Sequence, residues 1–177
     1  MSEGGKIVLK GIIEYTTPLV FKLVKDQKGL WLEGEGTTKT WLKFTGTGYA
    51  ITISTDDVVV GYYDLHLADF RLDGVSKTAG RHGIFLEKMG RQNTLEDLKL
   101  RNFDIGLDFS NSSNNVITLK TIRVDSCNTG IKIEGGLANE ITLIDVQTIW
   151  TTDYGVYLQA RNVRFLGGTI APITGYG

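Results

Sequence analysis

A glycine that opens a short alternating strand recurs in the second half of the chain. It appears as Gly83-Ile84-Phe85-Leu86, Gly106-Leu107-Asp108-Phe109, Gly130-Ile131-Lys132-Ile133 and Gly155-Val156-Tyr157-Leu158, at spacings of 23, 24 and 25 residues. A unit this short cannot bury its own apolar face. A steady period of this length therefore means a solenoid, in which each unit is completed by its neighbours.

Two further phases run between the glycines. One is usually opened by asparagine: Asn93-Thr94-Leu95, Asn115-Val116-Ile117, Asn139-Glu140-Ile141, then Arg161-Asn162-Val163. The other is Leu98-Lys99-Leu100, Ile122-Arg123-Val124, Val146 to Ile149, and Phe165 to Ile170. Three short strands per turn of 22 to 25 residues predict an all-β right-handed parallel β-helix. Coils would stack about 4.8 Å apart, so that like positions form ladders. Ile84, Leu107, Ile131 and Val156 should be one buried ladder. Asn93, Asn115 and Asn139 should stack in a turn and exchange amide hydrogen bonds. A leucine-rich repeat has a similar period but needs helical turns, and no segment here has helical periodicity.

The composition agrees. With 22 glycines, only 2 prolines and 41% hydrophobic residues, the chain suits many short strands joined by tight turns. Lys and Arg number 19 against 20 Asp and Glu, with no basic block carrying interleaved aromatics, so nucleic acid is not expected as a partner. Cys127 stands alone, which excludes an intrachain disulfide and a paired-cysteine zinc site. Its place three residues before Gly130 points it inward, as a small hydrophobe and not a nucleophile. The opening residues are no signal peptide, and no apolar run reaches the roughly 18 residues needed to cross a bilayer.

Residues 1–177 are expected to form one domain: irregular first coils over 1–48, a coil with an insertion over 49–82, and regular coils over 83–177. Upstream strands are expected at Ile7 to Leu9, Pro18 to Phe21, Leu30 to Leu32, Trp41 to Phe44, Ala50 to Ile53 and Leu65 to Leu72. The insertion belongs at Thr55 to Tyr62 or Gly74 to Arg81, where a loop on a solenoid often shapes a groove.

Strand alternation sends Thr52 and Ser54, Phe85 and Glu87, Asp108 and Ser110, Lys132 and Glu134, Tyr157 and Gln159 outward. Phe85 and Tyr157 offer flat faces for sugar rings, and Gln159 with the charged groups supplies partners for hydroxyls. Hydrolysis of a glycosidic bond needs two carboxylates at about 5 to 9.5 Å, a range that Asp108 with Glu87 or Glu134 approaches. β-Elimination would instead use Lys132 as a base and a cation such as calcium on a uronate; no other cofactor is expected. Beside both stands the plainer reading of a solvated face whose opposed charges add roughly 0.2 to 1 kcal/mol. His66 and His82 have no second histidine at ligand spacing, and His82, beside Arg81 at a strand entry, reads as a turn residue. Gly34-Glu35-Gly36 lacks the Gly-Lys-Ser/Thr of a phosphate loop and reads as a tight turn.

Gly4-Gly5-Lys6-Ile7-Val8-Leu9, Gly29-Leu30-Trp31-Leu32-Glu33-Gly34-Glu35-Gly36 and Trp41 to Gly48 resemble the opening coils of the pectate-lyase-like superfamily. His82-Gly83-Ile84-Phe85-Leu86, Asn93-Thr94-Leu95-Glu96-Asp97 and Asn102-Phe103-Asp104-Ile105-Gly106 are similar to phage tailspikes and related polysaccharide-degrading proteins. The resemblance is specific for fold and not for activity. The Asn-Thr-Asp, Asp-Asp, Gly-His-Gly and Arg-Ile-Lys pattern of polygalacturonases is not reproduced. The resemblance implies a glycan partner, a homotrimer, a virion tail or extracellular setting, and a chain that is a fragment or has covered ends. Either a glycan-binding and depolymerising domain or a non-catalytic structural or adhesive solenoid fits these residues.

Overall fold

The computed structural model describes residues 5–23, 29–55, 64–88, 92–110 and 115–172. Fourteen strands in these residues form one continuous parallel sheet wound into about six turns, consistent with a right-handed β-helix. Each turn crosses three faces in succession.

The first face is built from β1 (Gly5–Val8), β4 (Leu30–Glu33) and β7 (Leu65–Ala68), followed by the leading part of β10 (Asn93–Arg101) and of β12 (Asn115–Asp125). The second face holds β2 (Ile12–Tyr15), β5 (Trp41–Phe44) and β8 (Arg71–Gly74), then the trailing parts of β10 and β12. The third contains β3 (Leu19–Leu23), β6 (Gly48–Thr55), β9 (Arg81–Glu87) and β11 (Ile105–Asp108). In the last coils β13 (Thr129–Thr151) and β14 (Tyr154–Pro172) bend round the corners and contribute to every face.

Ladders fill the interior. Leu19, Ile51, Ile84, Leu107, Ile131 and Val156 lie in register on the third face, which bears out the expected column and extends it. Leu42, Leu72, Leu100 and Val124 form the matching ladder of the second face, and all four are buried. Full burial of such a side chain is worth about 1.5–3 kcal/mol, and repetition coil after coil supplies what a disulfide would otherwise have to. Cys127 is fully buried, with its thiol pushed up to about 12 by desolvation, as a small core residue should be.

The corners depend on single left-handed residues. Asp69, Asp97, Thr121 and Asp145 stand between the first and second faces, and Asn102, Ser126 and Trp150 between the second and third, all with positive φ. One such residue breaks the extended run and bends the chain without a long loop.

Three expectations need correction. The strand expected from Leu65 to Leu72 is two strands, β7 and β8, divided by the left-handed Asp69, and β2 was not anticipated. The stretch from Phe165 to Ile170 likewise straddles a corner: Phe165 pairs with Leu143 on the first face and Ile170 with Thr148 on the second. The asparagine ladder breaks at its first member. Asn93 pairs with Ile117, so it occupies an inward position and is buried, while Asn115 pairs with Asn139. The ladder survives further along, where Asn162 donates to Asn139 Oδ1 at 2.8 Å. Of the two stretches expected to hold the insertion, the loop between Gly74 and Arg81 is seen, whereas 56–63 lies outside the described residues.

Candidate functional site

The outer side of the third face carries the residues expected to do chemistry, in two in-register rows. Val20, Thr52, Phe85, Asp108, Lys132 and Tyr157 make the first. In the second, Ser54 pairs with Glu87, and Glu134 with Gln159. Phe85, Glu87, Asp108, Lys132, Glu134, Tyr157 and Gln159 thus share one surface.

A third row had not been anticipated. Tyr49 pairs with His82, and Ile105 with Thr129 and Tyr154. Tyr49, His82, Ile105 and Thr129 precede a pair of consecutive buried residues, Ala50-Ile51, Gly83-Ile84, Gly106-Leu107 or Gly130-Ile131, and Tyr154 precedes buried Gly155 and half-buried Val156, so strict alternation fails there. A small residue ahead of the first ladder position is the signal that would have revealed them.

Tyr49 organises one end of the face. Its ring stacks on Phe85 at 4.7 Å and lies 4.6 Å from His82, while its hydroxyl donates to Asp108 Oδ2 at 2.6 Å. Burial and the Asp108 carboxylate together drive the phenol far above its ordinary pKa, so it stays a donor. Asp108 also accepts from the Ser110 amide at 2.8 Å and is only 2% exposed. It points outward as expected but lies beneath Tyr49, not open to solvent. His82 is a strand residue and not a turn residue. Burial, opposed by Asp104 and Asp108, holds its imidazole below the usual range, and Nδ1 lies 3.9 Å from Asp104.

The other end is more open. Lys132 pairs with Glu134 at 2.7 Å, and this hydrogen bond raises the ammonium pKa, keeping Lys132 a cation at neutral pH. Gln159 donates to the Tyr157 hydroxyl at 2.8 Å, and Tyr154 meets the Tyr157 ring edge-on at 5.3 Å. The two aromatic groups, Tyr49 with Phe85 and Tyr154 with Tyr157, therefore flank a polar centre of Asp108, Lys132 and Glu134. Beside the face, the loop after Gly74 is tied down across several coils: Lys77 donates to Thr152 at 2.6 Å, and Asn128 donates to the Lys77 carbonyl and to Asp104.

On the first face His66 sits 4.9 Å from the exposed Trp31 and 3.6 Å from Glu96. Among the described residues no three His, Cys, Asp or Glu side chains come together as metal ligands.

By this architecture the chain is an all-β parallel solenoid of the β-helix class. No protein-family model, curated protein or solved structure matches it.

Proposed function

We propose that the third face is a carbohydrate-binding platform, on which an oligosaccharide lies along the solenoid axis. The observation that carries this reading is the placing of two aromatic groups on either side of a charged centre, in register on a rigid sheet. Aromatic faces stack against the apolar sides of sugar rings, and Lys132, Glu134 and Gln159 meet hydroxyls between them. The rigid backbone keeps these groups in place before the ligand arrives, which lowers the entropic cost of binding.

Turnover, where it occurs, falls to Glu87 and Glu134. They lie two coils apart, about 9.6 Å along the axis, near the upper end of the separation for inverting hydrolysis. Asp108 is covered by Tyr49 and acts by fixing that ring. Lys132, held protonated, serves better as a partner for an anionic or hydroxyl oxygen than as the base of an elimination. A second reading, binding without turnover, is favoured by the engagement of Glu134 with Lys132. A virion-tail or secreted setting and a trimeric assembly belong to the same proposal, and sedimentation at three times the chain mass checks the last of these.

The test is a glycan array, followed by calorimetry on the best ligand and assays for reducing ends and unsaturated uronates. Phe85→Ala with Tyr157→Ala is expected to weaken binding by about tenfold or more while the circular dichroism spectrum is unchanged. If product forms, Glu87→Gln and Glu134→Gln should each abolish it and spare binding. Wild-type affinity in the double aromatic variant, or no glycan bound at all, overturns the reading.

A further inference from the structure

The corner between the first and second faces sets an acidic row beside a basic one. Asp97 and Asp145 stand one coil to either side of Thr121 at the corner itself. Two residues further along the chain from these three, Lys99, Arg123 and Gln147 lie directly in register on the second face, with coils about 4.8 Å apart. Arg71 continues the basic row on the preceding coil.

The two rows do not neutralise each other. Asp97, Asp145 and Lys99 make neither hydrogen bond nor ion pair among the described residues. Arg123 has only a loose 3.7 Å approach to Asp125, and its buried Nε has no hydrogen-bond acceptor. Arg71, by contrast, donates to both oxygens of Asp73 and stacks on Trp41. Partial burial, with Arg123, Arg71 and Arg101 nearby, lowers the pKa of Lys99, so an added carboxylate would relieve it.

Between the rows lies a hollow of about 210 Å³. Lys99 and Arg123 line it on the basic side, Asp97 and Asp145 on the acidic side, and the buried Leu98 and Ile122 stand between them. Thr37, from the connection between β4 and β5, and Gln147 add a hydroxyl and an amide. The hollow is smaller than the roughly 300–1,000 Å³ of a pocket for a drug-sized ligand, which suits a molecule of the size of one amino acid. Its walls carry unpaired groups of both signs, so they favour neither an anion nor a cation. A zwitterion satisfies both, since its carboxylate accepts from the cations and its ammonium donates to the carboxylates.

We propose that this hollow binds a free amino acid, with its carboxylate held by Lys99 and Arg123 and its ammonium by Asp97 and Asp145. The inference does not rest on the third face, with which the hollow shares no residue.

The full chain is titrated by calorimetry with each of the common L-amino acids, and the tightest binder is compared with its N-acetyl and C-amide derivatives. At least one amino acid should bind, and each derivative, which lacks one of the two charges, should bind about tenfold or more weakly. Lys99→Gln with Arg123→Gln should weaken the free amino acid by a similar factor and leave its amide little affected. Asp97→Asn with Asp145→Asn should weaken the free amino acid and leave its N-acetyl form little affected. Lys99→Gln and Asp145→Asn, each alone, should act in the same directions and melt no lower than wild type, which keeps the test sound if a double variant folds poorly. The first removes repulsion and breaks no pairing, and asparagine accepts the left-handed backbone at position 145. Failure of every amino acid to bind overturns the site, as does a derivative that binds as tightly as the free amino acid. Unchanged affinity in the single and double variants overturns it too. All of these outcomes leave the glycan reading of the third face standing.

Discussion

Thr121 turns the chain from the first face to the second with φ at 52°, a region that β-branched residues rarely occupy. The equivalent corners one coil to either side use Asp97 and Asp145, whose short polar side chains tolerate it better. Thr121→Asn should therefore relieve strain at an exposed site and stabilise the fold by about 1 kcal/mol, seen as a melting temperature roughly 2–4 °C higher. A lower melting temperature would mean that the threonine makes a contact worth more than its backbone strain. His82 gives a second prediction at this scale. Its folded pKa is depressed by burial, so between that value and the unfolded value of about 6.5 the unfolded chain binds more protons. The stability associated with neutral His82 is present above about pH 6.5 and is lost as pH falls through the folded pKa. Urea unfolding of wild type against His82→Phe, which keeps a ring beside Tyr49, should show an acid-side loss in wild type that the variant lacks. Parallel pH profiles would sink the assignment.

At the scale of the element, the glycine that announces each turn is explained by how closely the coils approach. A methyl group on Gly83 would meet the Gly106 carbonyl, and one on Gly130 the Gly155 carbonyl and the Thr148 side chain. Gly130→Ala should cost about 1–3 kcal/mol in urea unfolding, the penalty of an overpacked site, whereas Gly5→Ala, with open space around it, should be near neutral. This close approach is why the third face was legible in the sequence: its opening residue must be small, Ala50 first and glycine in the coils that follow, and the strand behind it alternates. The first face was harder to place. The path from the third-face ladder to the first face is one residue shorter before β10 (Ile84 to Leu95) than before β12 (Leu107 to Leu119), so Leu95 pairs with Leu119, two residues beyond the apparent equivalent Ile117. The outward placing of Phe85, Asp108, Lys132 and Tyr157 was legible because alternation alone sends them to the outer side of the strands. Tyr49, His82 and Tyr154 escaped because they stand where alternation breaks. The row of Arg71, Lys99 and Arg123 escaped for another reason: its members are 28 and 24 residues apart in the sequence, so no contiguous basic block exists until the chain is wound.

For the whole molecule, the sheet pairs each coil only with the coils above and below it, with ties such as Tyr49 to Asp108 and Lys77 to Thr152 reaching further, so stability should be mainly a sum of neighbour terms that weakens towards both ends. The burial supports this. Leu72, Ile84, Leu95, Leu107 and Leu119 in the middle coils are fully buried, whereas Ile7 in the first coil is 39% exposed and Phe165 and Ile170 in the last are 46% and 48% exposed. One ladder therefore samples two environments. Leu107→Ala in the middle should cost about 2–5 kcal/mol, and Val156→Ala, at a half-buried position in the last coil, distinctly less. Amide hydrogen exchange gives the sharper measurement, because it reports each coil separately. Protection should be greatest in β8 to β12 and fall away through β1 to β3 on one side and the second-face part of β14 on the other. Equal protection from end to end would mean that the solenoid opens only as a unit, with coupling that reaches well beyond adjacent coils. In that case a ligand on the third face would also rigidify the terminal coils. With nearest-neighbour coupling, protection gained on binding should be confined to the coils between Tyr49 and Tyr157.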